Sequence, residues 1–126
     1  MYPMEYNINN TERQIKLLQL DNGKVPFEDW YKNIKGLRVK QAVLAILTRL
    51  QNPEFQNYKV ISNGIYELRI FLGAGYRIYF AFEKKDIVII IMGGDKSTQK
   101  KDIFKAQNFW NGYKNETKKN RKKFII

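Results

Sequence analysis

Residues 64–83 read GIYELRIFLGAGYRIYFAFE, two runs of alternating apolar and polar residues around a glycine-rich centre. Alternation with a period of two is typical of β-strands, and Gly73-Ala74-Gly75 supplies the conformational freedom of a tight connection. We therefore predict a β-hairpin with strands over about 64–72 and 75–83. The apolar residues of each strand then share one face of the hairpin. The other face carries Glu67, Arg69, Arg77 and Tyr79.

The two arginines of this hairpin need partners. If the apolar face packs on helices, the polar face is expected to be open, with Arg69, Arg77 and Tyr79 exposed together. A buried guanidinium without a partner is costly, so each arginine must meet water, a carboxylate or a ligand. Glu67 is the one acid on these two strand faces, and it cannot neutralise both arginines. This excess favours an anionic ligand such as phosphate, although a cross-strand ion pair with Glu67 is the alternative interpretation.

The segment after the hairpin predicts a buried strand followed by a helix. Residues 87–92 are apolar without alternation, which is typical of a central strand covered on both faces, and Gly93-Gly94 are expected to end it. Ser97 or Thr98 is suited to cap a last helix that reaches about residue 113. The expected core stripe of this helix consists of Ile103, Ala106, Trp110 and Tyr113.

The N-terminal half predicts a strand within 12–20 and helices over about 26–34 and 37–51. Together these elements predict the α+β class: a small antiparallel β-sheet of about four strands, two helices from the N-terminal half packed on it, and a C-terminal helix. We expect a single domain over 1–126, with a core at about 12–115 and a basic tail at 114–126.

Composition excludes several kinds of site. The chain has neither cysteine nor histidine, so it has no thiolate zinc site and no Ser-His-Asp triad. No apolar run approaches the length of a membrane span, and the N-terminus does not resemble a signal peptide; we expect a cytoplasmic protein with no membrane partner. The net charge is +11, and residues 96–126 carry ten Lys/Arg against two Asp/Glu. Such asymmetry indicates a polyanionic partner, or alternatively a tail that maintains solubility.

The run Asp95-Lys96-Ser97-Thr98-Gln99 lies between the predicted strand and the predicted helix. Backbone amides at a helix start, a hydroxyl and a lysine together are able to bind an anion. The spacing is not that of a P-loop. From the local pattern alone, an ordinary strand-to-helix loop with a good cap is favoured.

Three strings, taken in order, carry a resemblance: GIYELRIF at 64–71, GYRIYF at 75–80 and GGDKSTQ at 93–99. Together they resemble the RelE/ParE superfamily of bacterial toxins, and within it the phage-derived Gp49-like, HigB-like addiction module killer proteins. The likeness covers roughly residues 12–115. It implies the toxin of a type II toxin–antitoxin pair, neutralised by a small antitoxin that often has a helix-turn-helix domain.

The resemblance also implies an activity, because many such toxins cleave mRNA on the ribosome without a metal or another cofactor. By position, Arg77 matches the strand arginine that contacts the scissile phosphate, and Lys96 matches a strand-end basic residue. With Arg69 of the Glu-Leu-Arg motif, these form the candidate catalytic set. The candidate RNA-binding residues are Tyr79, Asp95, Ser97, Lys100 and Lys101.

One departure from the family pattern leaves the target open. Some members use a catalytic tyrosine in the last segment or histidines, whereas this chain has Asp102 there and no histidine. Proton transfer then falls to Lys96, Asp95 or Tyr79. Two alternatives therefore stay beside the mRNA endoribonuclease: a ParE-like inhibitor of DNA gyrase, and a non-enzymatic nucleic-acid-binding module driven by the basic C-terminal region.

Overall fold

The computed structural model describes residues 12–117 and 123–125. These residues form one six-stranded sheet in the order β2-β3-β4-β5-β1-β6, with three α-helices. In chain order the elements are β1 (Gln14–Leu18), α1 (Pro26–Lys32), α2 (Leu37–Leu50), β2 (Lys59–Ser62), β3 (Ile65–Ile70), β4 (Tyr76–Lys84), β5 (Ile87–Asp95), α3 (Gln99–Thr117) and β6 (Lys123–Ile125).

The α+β class is confirmed, and the sheet is mostly antiparallel. Strands β2 to β5 pair antiparallel in sequence order, whereas β1 joins β5 in parallel and β6 joins β1 antiparallel. Two strands, β2 and β6, come in addition to the four predicted. The signal for β2 is the pair Asn63-Gly64, whose φ angles of 51° and 82° are those of a two-residue hairpin turn.

Helices cover both faces of the sheet. Helices α1 and α2 pack on one face, where Phe27, Val43 and Leu47 join apolar side chains of β1, β3, β4 and β5 in one core. Helix α3 packs on the other face through Ala106, Trp110 and Tyr113, in a second core. The expected open face of the hairpin is therefore wrong, because α3 lies over it and buries much of its polar row.

Two adjacent glycines in β5 allow this close packing. The strand does not end at Gly93-Gly94 but continues to Asp95. A Cβ at Gly93 would lie 2.3 Å from the Trp30 ring, and one at Gly94 would lie 1.9 Å from Oδ2 of Asp102. The two glycines thus permit α1 and α3 to contact the backbone of the central strand from opposite faces.

Arg13 anchors the C-terminal end of α2 and was not singled out by the sequence. Its side chain is buried, and its guanidinium donates hydrogen bonds to three carbonyl oxygens, those of Leu50, Pro53 and Phe55. The Leu50 carbonyl is one of the last of α2, which have no partners within the helix, and the other two bonds hold the segment that follows the helix.

A short 3₁₀ turn, Lys96–Thr98, leads directly into helix α3, which extends from Gln99 to Thr117. The cap is Asp95 rather than the predicted Ser97 or Thr98, since the Asp95 carboxylate accepts the backbone N–H of Ser97 at 2.8 Å. Of the predicted basic tail, residues 118–122 and 126 lie outside the described residues. Within the described part of the chain, no helix is both long and apolar enough to cross a membrane.

Candidate active site

One cleft brings the three predicted catalytic cations together. Arg69 at the end of β3, Arg77 at the start of β4 and Lys96 after β5 all line a space of about 420 Å³. The rest of its lining consists of Ile70, Phe71, Gly75, Tyr76 and Gln99. The hairpin and the start of α3 therefore meet to form a cationic cleft from residues distant in sequence.

A single carboxylate organises the two arginines. Arg69 and Arg77 are direct cross-strand partners, and Glu67 is the neighbouring residue on the same face of β3. Arg69 donates from Nε to Oε1 of Glu67 at 3.0 Å, and Nε of Arg77 lies 3.5 Å from Oε2. The Glu67 carboxylate is fully buried, so these charges interact where water screens them little.

The two arginines differ in exposure. The side chain of Arg77 is 8% exposed, whereas that of Arg69 is 37% exposed. Arg77 also donates from Nη1 to the carbonyl oxygen of Gly75 at 2.9 Å, which fixes the guanidinium in the cleft wall. Its Nε is buried and closes no hydrogen bond, since 3.5 Å is too long. Arg77 is thus a fixed, incompletely satisfied donor, and Arg69 is the more accessible one.

Gln99 connects α3 to this cluster, a role the sequence reasoning missed. Its Nε2 donates to Oε2 of Glu67 at 2.9 Å, 32 residues away along the chain. The signal was its place at the end of the string GGDKSTQ, where it is the first residue of α3. The position of the helix is therefore tied directly to the carboxylate that holds the arginines.

Lys96 supplies the third positive charge from the edge of the cleft. Its side chain is exposed, and its backbone N–H donates to the carbonyl oxygen of Ala74 at 3.4 Å. Among the described residues, no carboxylate lies within ion-pair distance of Lys96. Three cations therefore line the cleft, and the nearby buried Glu67 can neutralise only one of them, so the excess charge suits a phosphate group.

The turn between β3 and β4 is shaped by Gly75. Its φ is +75°, a conformation that side chains with a Cβ rarely adopt, and an added Cβ would lie 3.6 Å from both Arg77 Nη1 and Lys96 Cβ. The glycine lets the turn pass close to both cations, so that Arg77 can bond its carbonyl oxygen.

The other predicted RNA-binding residues around α3 lie beside the cleft, outside its lining. Asp95 accepts the hydroxyl of Ser97 at 2.6 Å as well as its backbone N–H. These hydrogen bonds lower the pKa of the Asp95 carboxyl below its usual value, and the bond from the Ser97 hydroxyl has the largest effect. Lys100 and Lys101 are exposed in the first turn of α3. Asp95 and Ser97 thus form a helix cap, and the two lysines add positive charge next to the cleft.

Tyr79 is not at the surface. Its side chain is fully buried under α3, directly across from Glu67 on the neighbouring strand. Burial is the main cause that raises the pKa of its hydroxyl, followed by the negative charges of Glu67 and Asp102. The hydroxyl therefore stays protonated. The hydroxyl closes no well-formed hydrogen bond. The expected exposure of Tyr79 is wrong, and a ring in this position has no face free for a base.

Asp102 lies at the contact between α3 and β5 and not in the cleft. It is buried, its Oδ2 accepts the Thr98 hydroxyl at 2.5 Å, and it packs on the backbone of Gly94. Among the described residues there is no group of three Asp, Glu, His or Cys side chains that could hold a metal ion.

Comparison with known sequences places this cleft in a family. The sequence model of the family described as phage derived protein Gp49-like matches residues 32–108, a range that contains every residue lining the cleft. The chain belongs to the Gp49-like family. This family is associated with the toxins of toxin–antitoxin systems, so membership implies an antitoxin partner.

An uncharacterized protein of Haemophilus influenzae is similar to this Gp49-like chain. The two are 44% identical over 81 residues, which cover 64% of the chain and 82% of the relative. No solved structure matches the chain significantly.

Proposed function

We propose that this Gp49-like protein is a toxin that cleaves mRNA on the ribosome without a metal, as the resemblance to the RelE/ParE superfamily implies. The observation that carries the proposal is the cleft lined by Arg69, Arg77 and Lys96, in which the buried Glu67 carboxylate holds the two arginines. Its substrate would be a phosphodiester of translated mRNA, its place of action the cytoplasm, and its antitoxin a small protein that neutralises it.

The reaction needs the ribose 2′-hydroxyl to attack the adjacent phosphorus while the bond from phosphorus to the 5′ oxygen breaks. The 2′-hydroxyl loses its proton to a base, the 5′ oxygen gains one, and a 2′,3′-cyclic phosphate and a 5′-hydroxyl result. Arg77, fixed by Gly75 and Glu67, and Arg69 would stabilise the negative charge that develops on the phosphorane oxygens. Their role is electrostatic because arginine does not give up its proton.

In this mechanism the Lys96 ammonium would donate the proton that the 5′ oxygen gains, and solvent water would take up the proton of the 2′-hydroxyl. Of the three residues expected to serve, Tyr79 is buried and stays protonated, and Asp95 lies outside the cleft lining with its oxygens bonded to Ser97. Lys96 is exposed at the cleft edge and can approach the leaving oxygen.

The test is a cell-free translation reaction with purified protein, in which new 5′ ends of the mRNA are mapped by primer extension. We expect the wild type to produce ends inside translated codons. Lys96→Ala should cut at least tenfold more slowly, whereas Lys105→Ala should cut at the wild-type rate because this exposed lysine of α3 is not part of the cleft. Intact mRNA with the wild-type protein would overturn the proposal.

A second candidate is inhibition of DNA gyrase, as in the ParE branch. The scarcity of proton-transfer groups in the cleft favours it, because binding to a protein target needs none. Induction of the DNA-damage response with unchanged translation would indicate gyrase, whereas rapid arrest of translation without DNA breaks would indicate mRNA.

A further inference from the structure

Phe71 presents an aromatic ring to solvent beside the cationic cleft. Its exposed fraction is 87%, the highest of the large exposed hydrophobic side chains in the described part of the chain. It follows β3 directly and belongs to neither hydrophobic core. Packing within the chain therefore does not account for a phenylalanine here.

Three clefts adjoin this ring. Arg69 and Phe71 line the cationic cleft of about 420 Å³, a second cleft of about 170 Å³ with Asn57 and Lys59, and a third of about 330 Å³ with Arg49 and Asn57. The side chains of Arg69 and Phe71 thus form the boundary that all three spaces share. A ligand that passes from one cleft to the next crosses the Phe71 ring.

The exposed charged side chains along these clefts are all positive. Arg49 and Lys59 are exposed in the two smaller clefts, and Arg69, Arg77 and Lys96 line the large one. The one carboxylate in the lining is Glu67, which is fully buried and already engaged by Arg69, Arg77 and Gln99. An aromatic ring between two groups of cations matches the pattern of single-stranded nucleic-acid binding, in which bases stack and phosphates meet cations.

We propose that Phe71 is a stacking platform for one base of a single-stranded RNA that lies across all three clefts. The phosphates on one side of the stacked base meet Arg69, Arg77 and Lys96, and those on the other side meet Arg49 and Lys59. The choice of RNA as the strand rests on the proposed function. Ala42, Ala45, Ile46 and Ile70 add apolar lining to the third cleft, but the five cations around Phe71 favour a polyanion over a protein as the occupant.

The experiment measures binding of an unstructured RNA 12-mer that carries the fluorescent base 2-aminopurine. We expect the wild type to bind it and to quench the fluorescence by stacking. Phe71→Ala should weaken binding about five- to hundredfold and abolish the quench, while Phe71→Trp should preserve both. The matched control is Phe104→Ala, which removes another exposed phenylalanine, 65% exposed on α3 and outside all three clefts.

The salt dependence of binding separates stacking from charge. Phe71→Ala should leave the slope of log affinity against log salt unchanged, because no phosphate contact is lost, whereas Arg49→Ala should reduce the slope. Wild-type affinity and quench in Phe71→Ala, or failure of the wild type to bind the 12-mer, would overturn the stacking proposal. Loss of antitoxin binding in Phe71→Ala with RNA binding intact would assign the ring to the antitoxin instead.

The two proposals fail in distinguishable ways. If the wild type cuts mRNA on ribosomes and Phe71→Ala binds the 12-mer normally, the cleavage proposal survives and the stacking proposal falls. If RNA binding depends on Phe71 but no mRNA is cut in the translation assay, the RNA-binding surface stands and the enzyme proposal falls.

Discussion

Arg69 and Arg77 lie directly opposite each other on neighbouring strands, and both reach the same carboxylate. Like charges in direct cross-strand register destabilise a sheet, so Glu67 is what makes this pairing tolerable. One carboxylate still leaves one positive charge in excess, and Lys96 adds another at the edge of the cleft. The cleft therefore retains an attraction for anions while the protein is folded.

Replacement of Glu67 by Gln should cost about 3 kcal/mol in the free energy of unfolding, because it leaves the buried Arg77 without a counter-charge. Urea titration followed by circular dichroism measures this loss. Glu54→Gln is the matched control, since Glu54 is exposed in the loop after α2 and its replacement should change stability little. Equal stability of Glu67→Gln and the wild type would show that Arg77 does not depend on this ion pair.

Replacement of Arg77 by Lys should lower the initial rate of mRNA cleavage at least tenfold while the protein stays folded. Lysine keeps the charge near Glu67 but lacks the planar fork that donates to Gly75 and leaves further donors for a phosphate. The rate comes from the translation assay, and thermal unfolding monitors the fold. Arg77→Ala is the less suitable variant because it removes one of the two cations paired with the buried Glu67 carboxylate. A fully active Arg77→Lys protein would contradict the assignment of this arginine to the phosphate.

Replacement of Asp95 by Asn should reduce stability at neutral pH by about 0.3–1 kcal/mol, the contribution of a negative charge near a helix N-terminus. The Ser97 bonds lower the pKa of the Asp95 carboxyl in the folded state below the reference value of 3.8. Its charge therefore stabilises the fold above about pH 3.8, and this stabilisation is lost as the pH falls through the lower folded-state pKa. Urea titrations at several pH values should show the difference between wild type and variant vanishing in acid. A difference that persists unchanged at the lowest pH would mean that the charge of Asp95 is not its cause.

Replacement of Gly94 by Ala should destabilise the fold by about 2 kcal/mol, because the new methyl group would overlap Oδ2 of Asp102. The double variant Gly94→Ala/Asp102→Ala should recover part of this loss by removing the overlapping carboxylate. A double-variant cycle of urea titrations measures the coupling between the two positions. Strict additivity of the two single changes would indicate that the strand and α3 are not in the contact described.

Sequence patterns predicted much of this fold because they reflect which faces are apolar. The alternation at 64–83 gave the hairpin and its two faces, and the 3.6-residue spacing gave the inward stripe of α3 with Ala106, Trp110 and Tyr113. The short strand β2 escaped because its residues alternate weakly and its turn, Asn63-Gly64, was overlooked.

The candidate site was predictable as a set of cations but not as an arrangement. The excess of Arg69 and Arg77 over Glu67 could be counted along the strands. Whether the polar face was open depended on where α3 packs, and this is a tertiary property that no local pattern carries. The role of Gln99 could not be predicted from a local pattern either, since its contact with Glu67 spans 32 residues. The exposure of Phe71 could have been inferred, because the alternation puts Phe71 on the same face as Glu67 and Arg69, but its apolar character concealed this.

The parallel pairing of β1 with β5 has a consequence for synthesis of the chain. Gln14 pairs with Ile87, so the first strand has no neighbour in the sheet core until the ribosome has made the fifth. Closing so long a loop is slow, because the chain between β1 and β5 loses conformational entropy before the contacts of the two strands compensate for it. If the toxin cuts its own message before the codons of β5, the released fragments leave β1 unpaired and the sheet incomplete. Such fragments would be substrates for proteolysis, and each cleavage of this message would limit the amount of active toxin.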